Sequence, residues 1–130
     1  MSTPVKHHSP GFLAIVHDAK QRVNEITIDD YKRMRETNEP HILVDVREDN
    51  EFNTAHAKGA IHLSKGIIER DIETTIPDPN ARIVLYCGGG YRSALAADNL
   101  GKMGYGNVLS LDGGWRAIEV SGLPLEFPGS

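Results

Sequence analysis

Three short apolar runs fix the architecture open to this chain. Ile42, Leu43 and Val44 with Val46, then Ile83–Tyr86, then Val108–Leu111 are each four or five residues long, and the first two are rich in β-branched residues. Runs of this length and kind suit parallel strands buried on both faces. Segments of helical character separate them. Strands alternating with helices at short spacing predict an α/β domain with a parallel sheet covered on both faces. At 130 residues the chain has room for one domain and little more. A core of that size needs neither disulfides nor a structural metal.

The intervening segments are readable in turn. Residues 1–10, with Pro4, His7, His8, Ser9 and Pro10, are expected to form a frayed lead-in. Phe12, Ile15, Val16, Ala19 and Val23 then recur at helical spacing opposite Asp18, Gln21 and Arg22. They predict a helix that serves as a packing arm or as the contact of a homodimer. A strand is predicted over 25–27, then a helix over 28–37 capped by Thr27 with Asp30 as the acidic partner. A short helix over 50–54, a strand over 60–63 and a helix carrying Ile67, Ile68 and Ile72 follow, the last capped by Ser64. After Cys87 and three glycines, a helix is predicted over 93–102 with Leu95, Ala96, Leu100 and Met103 inward and Gly104 at its end. Gly113, Gly114 and Trp115 open a last helix to about Ser121. The expected division is a lead-in and helix over 1–24, one domain over 25–126 and a tail over 127–130.

Charge and composition narrow the function. Apolar residues make up 39% and charged residues 25%, an ordinary globular balance. The net charge is −4 and no long basic run occurs, so neither nucleic acid nor a membrane surface is an expected partner. The longest early apolar stretch, 11–16, runs straight into His17 and Asp18. It is too short for a signal-peptide core or a membrane span, and a cytoplasmic protein is expected. The histidines (His7, His8, His17, His41, His56 and His62) show no ligand spacing with the single cysteine, so no metal site is expected. His56 reads as a hydrogen-bonding residue of its turn, and Trp115 as a core residue bordering the pocket.

The chemistry concentrates at Cys87, Gly88, Gly89, Gly90, Tyr91, Arg92 and Ser93. This stretch lies between a buried strand and a helix, and ligands of parallel sheets bind at the carboxyl ends of strands. Consecutive glycines let the main chain approach an anion closely and turn its amides inward as a nest. The helix N-terminus adds partial positive charge, and Arg92 a full one. All three favour a thiolate at Cys87, and the same cradle suits a persulfide anion one atom further out. The alternative is that Cys87 is a small buried hydrophobe and the glycines only turn the chain. The glycines, Arg92 and the strand-to-helix position favour the reactive reading. As the only cysteine, Cys87 has no resolving partner in the chain and must pass any cargo to an outside acceptor. No P-loop spacing is present.

In register, residues 44–63 carry Asp45, Arg47, a Glu51-Phe52 pair, His56 and a Gly59-Ala60 turn; the loop 86–93 follows, then Leu111-Asp112-Gly113-Gly114-Trp115 and Gly122-Leu123-Pro124. Together these four motifs resemble the rhodanese family over residues 25–126. The resemblance implies a five-stranded, mostly parallel sheet flanked by helices, with the N-terminal helix as an addition outside the family pattern. It implies sulfur transfer through a cysteine persulfide. Cys87 would be the nucleophile, the amides of residues 88–92 would hold its sulfur, and Arg92 would attract an anionic donor. Asp45 and Arg47 resemble the family's structural pair near the site, with Ser93 in support. Tyr91 occupies a loop position that varies in the family and is expected to narrow the mouth. Ala55, Ala57 and Lys58 stand where members usually have Gly, Ile and Pro, and Ile118 where many have tryptophan.

The expected reaction is a two-step transfer from thiosulfate or a low-molecular-weight persulfide to cyanide in an assay, or to a cellular thiol, a protein thiol included. The persulfide is the carrier, so no cofactor is expected. Two other readings remain: a non-catalytic binding module on the same fold, and a thiol-based phosphatase or arsenate reductase. Thiol phosphatases resemble this loop but place five residues between cysteine and arginine; here there are four, Gly88 to Tyr91.

Overall fold

The computed structural model describes residues 8–128. Helix α1 (Pro10–Lys20) leads to β1 (Asn24–Ile26), α2 (Ile28–Glu36) and β2 (Ile42–Asp45). Then come α3 (Asp49–Thr54), the two-residue strands β3 (His56–Ala57) and β4 (Ile61–His62), and α4 (Ile68–Thr75). The chain continues through β5 (Ile83–Tyr86), α5 (Tyr91–Lys102), β6 (Val108–Leu111), α6 (Gly114–Ser121) and β7 (Leu125–Glu126). Residues 1–7 of the expected lead-in, His7 among them, and the last two residues of the expected tail lie outside the described residues.

Five strands form one sheet in the order β1-β6-β5-β2-β4, with every pairing parallel. Strand β5 is central, and all four of its residues are buried. Alternation sorts its side chains between two layers. Ile83, Leu85 and Cys87 point into one layer with Ile68 and Ile72 of α4 and Ala96 and Leu100 of α5. Val84 and Tyr86 point into the other, with Tyr31 and Met34 of α2 and Ile118 of α6. Full burial of each of Ile83, Val84 and Leu85 contributes about 1.5–3 kcal/mol. Two covered faces explain why the strand reads as continuous apolar sequence.

Several local expectations are corrected. Strand β1 ends at Ile26 because Thr27 leaves it to cap α2: its hydroxyl accepts the Asp30 N–H, and the Asp30 carboxylate accepts the Thr27 N–H. Ser64 caps no helix; its carbonyl accepts the Ile67 N–H in a turn that delays α4 to Ile68. Helix α5 starts at Tyr91, two residues early, because Gly90 turns the chain at φ +106°. In α1, Val16 and Ala19 are buried against α5, whereas Ile15 is 55% exposed. The small antiparallel pair β3–β7 lies outside the main sheet. Its two-residue strands carry too little pattern to be read from sequence.

Candidate active site

Strand β5 delivers Cys87 to the carboxyl edge of the sheet, and Gly88, Gly89 and Gly90 carry the chain from there into α5. The thiol is 1% exposed, at the base of this loop. The Gly90 N–H donates to Cys87 Sγ at 3.1 Å and the Ser93 N–H at 3.4 Å. Ser93 Oγ lies 3.5 Å from the sulfur and accepts from the thiol, and it shares a 2.9 Å hydrogen bond with Ser110 Oγ on β6. A hydroxyl both donates and accepts, so the buried Ser93–Ser110 pair serves a thiol or an anionic sulfur. Of residues 88–92, whose amides were expected to hold the sulfur, Gly90 donates to it, and the second N–H comes from Ser93, outside that set. Amides of Gly88, Gly89, Tyr91 and Arg92 make no hydrogen bond to Cys87 Sγ among the described residues. Ser110 is absent from the sequence-level site: a serine in an apolar strand carries no signal until the strand order sets it beside Ser93.

Helix α6 closes the loop from its outer side. The Trp115 N–H donates to the Cys87 carbonyl at 2.7 Å, and the Arg116 N–H to the Gly88 carbonyl at 3.3 Å. This approach depends on Gly114, whose φ is +47° and where any Cβ would overlap the Cys87 carbonyl oxygen. The paired glycines ahead of Trp115 are thus part of the site's framework.

Arg92, expected to attract an anionic donor, is held in an ion pair with Glu51. Its Nη1 donates to Glu51 Oε1 at 2.8 Å and its Nη2 to Oε2 at 3.3 Å. This bond holds the Glu51 carboxyl below its usual range, against the opposing effect of burial. The same bond raises the already high value of Arg92. Glu51 also accepts the Glu48 N–H at the start of α3, which fixes its position. The Glu51-Phe52 motif was thus a visible signal whose partner only the structure names.

Asp45 and Arg47 form a buried ion pair at the neighbouring strand end. Arg47 Nη2 lies 2.8 Å from Asp45 Oδ2 and 2.7 Å from the Ala55 carbonyl. Its guanidinium sits 4.5 Å from the centre of the Trp115 ring. Tyr86 lies beneath, its hydroxyl accepting the Ala57 N–H. Burial, reinforced by the Asp45 carboxylate, pushes the Tyr86 hydroxyl far above its ordinary value and keeps it neutral. His56 sits in its turn as expected, with Nδ1 2.9 Å from the Phe52 carbonyl. The departures at Ala55, Ala57 and Ile118 are all buried, so the smaller or different side chains are packed rather than left exposed.

Tyr91 belongs to the N-terminal helix as much as to the loop. Its ring centroid is 4.8 Å from that of His8 and 6.2 Å from that of Phe12, and Lys20 Nζ lies 5.0 Å over it. Helix α1 therefore anchors the first residue of α5, a role the sequence did not disclose.

The comparisons agree with this geometry. The family model described as a rhodanese-like domain matches residues 27–120. The thiosulfate sulfurtransferase GlpE of Vibrio cholerae is 34% identical over 101 residues, which cover 78% of this chain and 92% of that protein. A Bacillus subtilis protein whose name describes a sulfur carrier is 30% identical over 94 residues, 72% of this chain; the chain spans half the length of that relative. A solved structure from Rhodopseudomonas palustris, described as a protein of unknown function and possible tyrosine phosphatase, superposes with a TM-score of 0.79 at 26% identity, covering 95% of this chain and all of the other. A family model spanning well over half of the chain, the loop at Cys87 within its span, shows that the chain belongs to the rhodanese family.

Proposed function

We propose that this chain is a sulfurtransferase that carries sulfane sulfur as a persulfide on Cys87. The general class, rhodanese-type sulfur transfer, is supported by the name and coverage of the Vibrio cholerae relative. The observation that carries the finer reading is the convergence of the Gly90 and Ser93 N–H groups on Cys87 Sγ. Two donors aimed at one buried sulfur favour an anion there, the form in which a thiol attacks.

With thiosulfate, the Cys87 thiolate attacks the outer sulfur. The Cys87 S–S bond forms, the S–S bond of thiosulfate breaks, and sulfite leaves with the bonding pair. Three negative charges enter and three remain, one on the persulfide and two on sulfite. Cyanide or a thiolate then attacks the terminal sulfur and restores the Cys87 thiolate, giving thiocyanate or a new persulfide. The loop amides at Gly88, Gly89, Tyr91 and Arg92, which are not bonded to Cys87 Sγ, are the donors available to that terminal sulfur. Arg92, held by Glu51, keeps the loop in shape. A low-molecular-weight persulfide serves as donor by the same attack, and the cellular acceptor is a thiol, on a small molecule or a protein.

Steady-state formation of thiocyanate from thiosulfate and cyanide tests the proposal. Wild-type protein should turn over with parallel-line kinetics, and Cys87→Ser should be inactive with an unchanged circular dichroism spectrum. Aryl phosphate hydrolysis should be negligible for both. Phosphate hydrolysis lost in Cys87→Ser, without thiocyanate, would replace sulfur transfer by the phosphatase reading. Absence of both reactions would favour a binding module.

A further inference from the structure

An anionic donor must approach a protein whose net charge is −4. A local cation is the simplest remedy, and among the described residues Arg47, Arg92, Lys20 and Arg116 are the candidates. Arg47 is consumed by Asp45, Arg92 by Glu51, and Lys20 by Glu25 at 3.3 Å. Each of these brings its own carboxylate, so each pair presents almost no net charge to a dianion. Arg116 is different. It is exposed, and no carboxylate pairs with it among the described residues.

Its position is set by the backbone. The Arg116 N–H is bonded to the Gly88 carbonyl, so the residue is fastened to the loop itself. Its guanidinium lies along the loop, with Nη1 3.6 Å from where a Cβ on Gly89 would stand. Arg92 flanks the preceding glycine, its Nη2 3.2 Å from the corresponding point on Gly88. Two guanidiniums thus border consecutive glycines of the loop, one neutralised and one free. From these placements we infer that Arg116 is the residue that recruits the anionic part of the sulfur donor, and that it gives the site a preference for dianionic over monoanionic donors. This inference rests on the sulfur-transfer reading and names its specificity-determining residue; Arg116 does not touch the reacting sulfur and acts by docking.

A single charge about 7 Å from a dianion in water-like surroundings changes occupancy about five- to tenfold, and half that interaction, for a monoanion, about two- to threefold. The test compares thiosulfate with an arenethiosulfonate, a monoanion that delivers the same sulfur and releases a sulfinate. Arg116→Ala should raise KM for thiosulfate about five- to tenfold and for the arenethiosulfonate about two- to threefold, with kcat nearly unchanged. Arg116→Lys should restore most of the difference, and added inert salt should raise the wild-type KM toward that of Arg116→Ala. The side chain is exposed, so both variants should keep the wild-type melting temperature. Equal KM values for wild type and Arg116→Ala, with the persulfide still forming on Cys87, would overturn the inference and leave sulfur transfer standing. A proportional loss for both donors that Arg116→Lys does not rescue would also overturn it, since that is the mark of a structural role. Failure of the wild type to form a persulfide from either donor would remove the sulfur-transfer reading, and this inference with it.

Discussion

Strands β2 and β5 lie side by side, with Asp45 paired in register with Tyr86, yet their carboxyl ends do opposite things. The β2 end closes on itself. Asp45 and Arg47 meet at 2.8 Å with side chains 0% and 4% exposed, and Arg47 is further tied to the Ala55 carbonyl and the Trp115 ring. The β5 end stays open to chemistry. Its sulfur has N–H donors but no counter-charge bonded to it, and the Arg92–Glu51 ion pair at the start of α5 is about a third exposed. Under the proposed sulfur transfer, the difference teaches how the fold supports a reactive group. One strand end commits its charges to structure so that its neighbour can leave donors uncommitted.

The sharpest way to break this comparison is to open the closed end. Arg47→Ala leaves the Asp45 carboxylate buried without its partner and should cost about 3–5 kcal/mol, read from denaturant unfolding. A loss below about 1 kcal/mol would mean that the β2 end is not the support described. A smaller effect is expected where α6 meets the loop. Gly114→Ala forces a side chain into a left-handed conformation and against the Cys87 carbonyl. It should cost about 1–3 kcal/mol. It should also speed alkylation of Cys87 by iodoacetamide, because the loop must move; an unchanged alkylation rate would argue that α6 does not hold it.

The smallest effect belongs to the Arg92–Glu51 pair, about a third exposed. Glu51→Gln should change stability near neutral pH by less than about 1 kcal/mol, since solvent screens such pairs. Its pH dependence has a definite sign. The Glu51 carboxyl lies below its ordinary value of 4.5 in the folded chain, so the fold binds this proton less readily than the unfolded chain does. The contribution is therefore complete above pH 4.5 and fades as pH falls through the lower folded value. The stability gap between wild type and Glu51→Gln should shrink on acidification below that point. A gap that widens on acidification would contradict the assignment of the shift to the Arg92 bond.

Much of this comparison was written in the sequence. Ile42–Asp45, Ile83–Tyr86 and Val108–Leu111 read as buried strands because both faces of each are covered, and the capping pair Thr27–Asp30 marked the start of α2. Cys87 and its glycines were legible as a candidate site because they are consecutive in the chain. What stayed hidden were relations across the chain. Glu51 lies 41 positions from Arg92, and Ser110 lies 17 from Ser93, so neither pairing has a local pattern. Arg116 reads as an ordinary solvated residue until Gly114 is seen to bring α6 onto the loop. Ile15 fits the apolar periodicity of α1, yet it stays exposed while Val16 and Ala19 are buried and Phe12 meets Tyr91 at the start of α5. Helix periodicity names a face but not how much of it a neighbour covers.

The central claim is that the open end of β5 holds sulfur on Cys87, and intact-mass spectrometry after incubation with thiosulfate tests it most directly. Wild-type protein should gain one sulfur atom, roughly 32 Da, as expected of a covalent intermediate, and cyanide should remove it with release of thiocyanate. Cys87→Ser, folded as judged by circular dichroism, should gain nothing. A wild-type mass that stays unchanged with thiosulfate and with a glutathione persulfide donor, or an equal gain in Cys87→Ser, would contradict the claim.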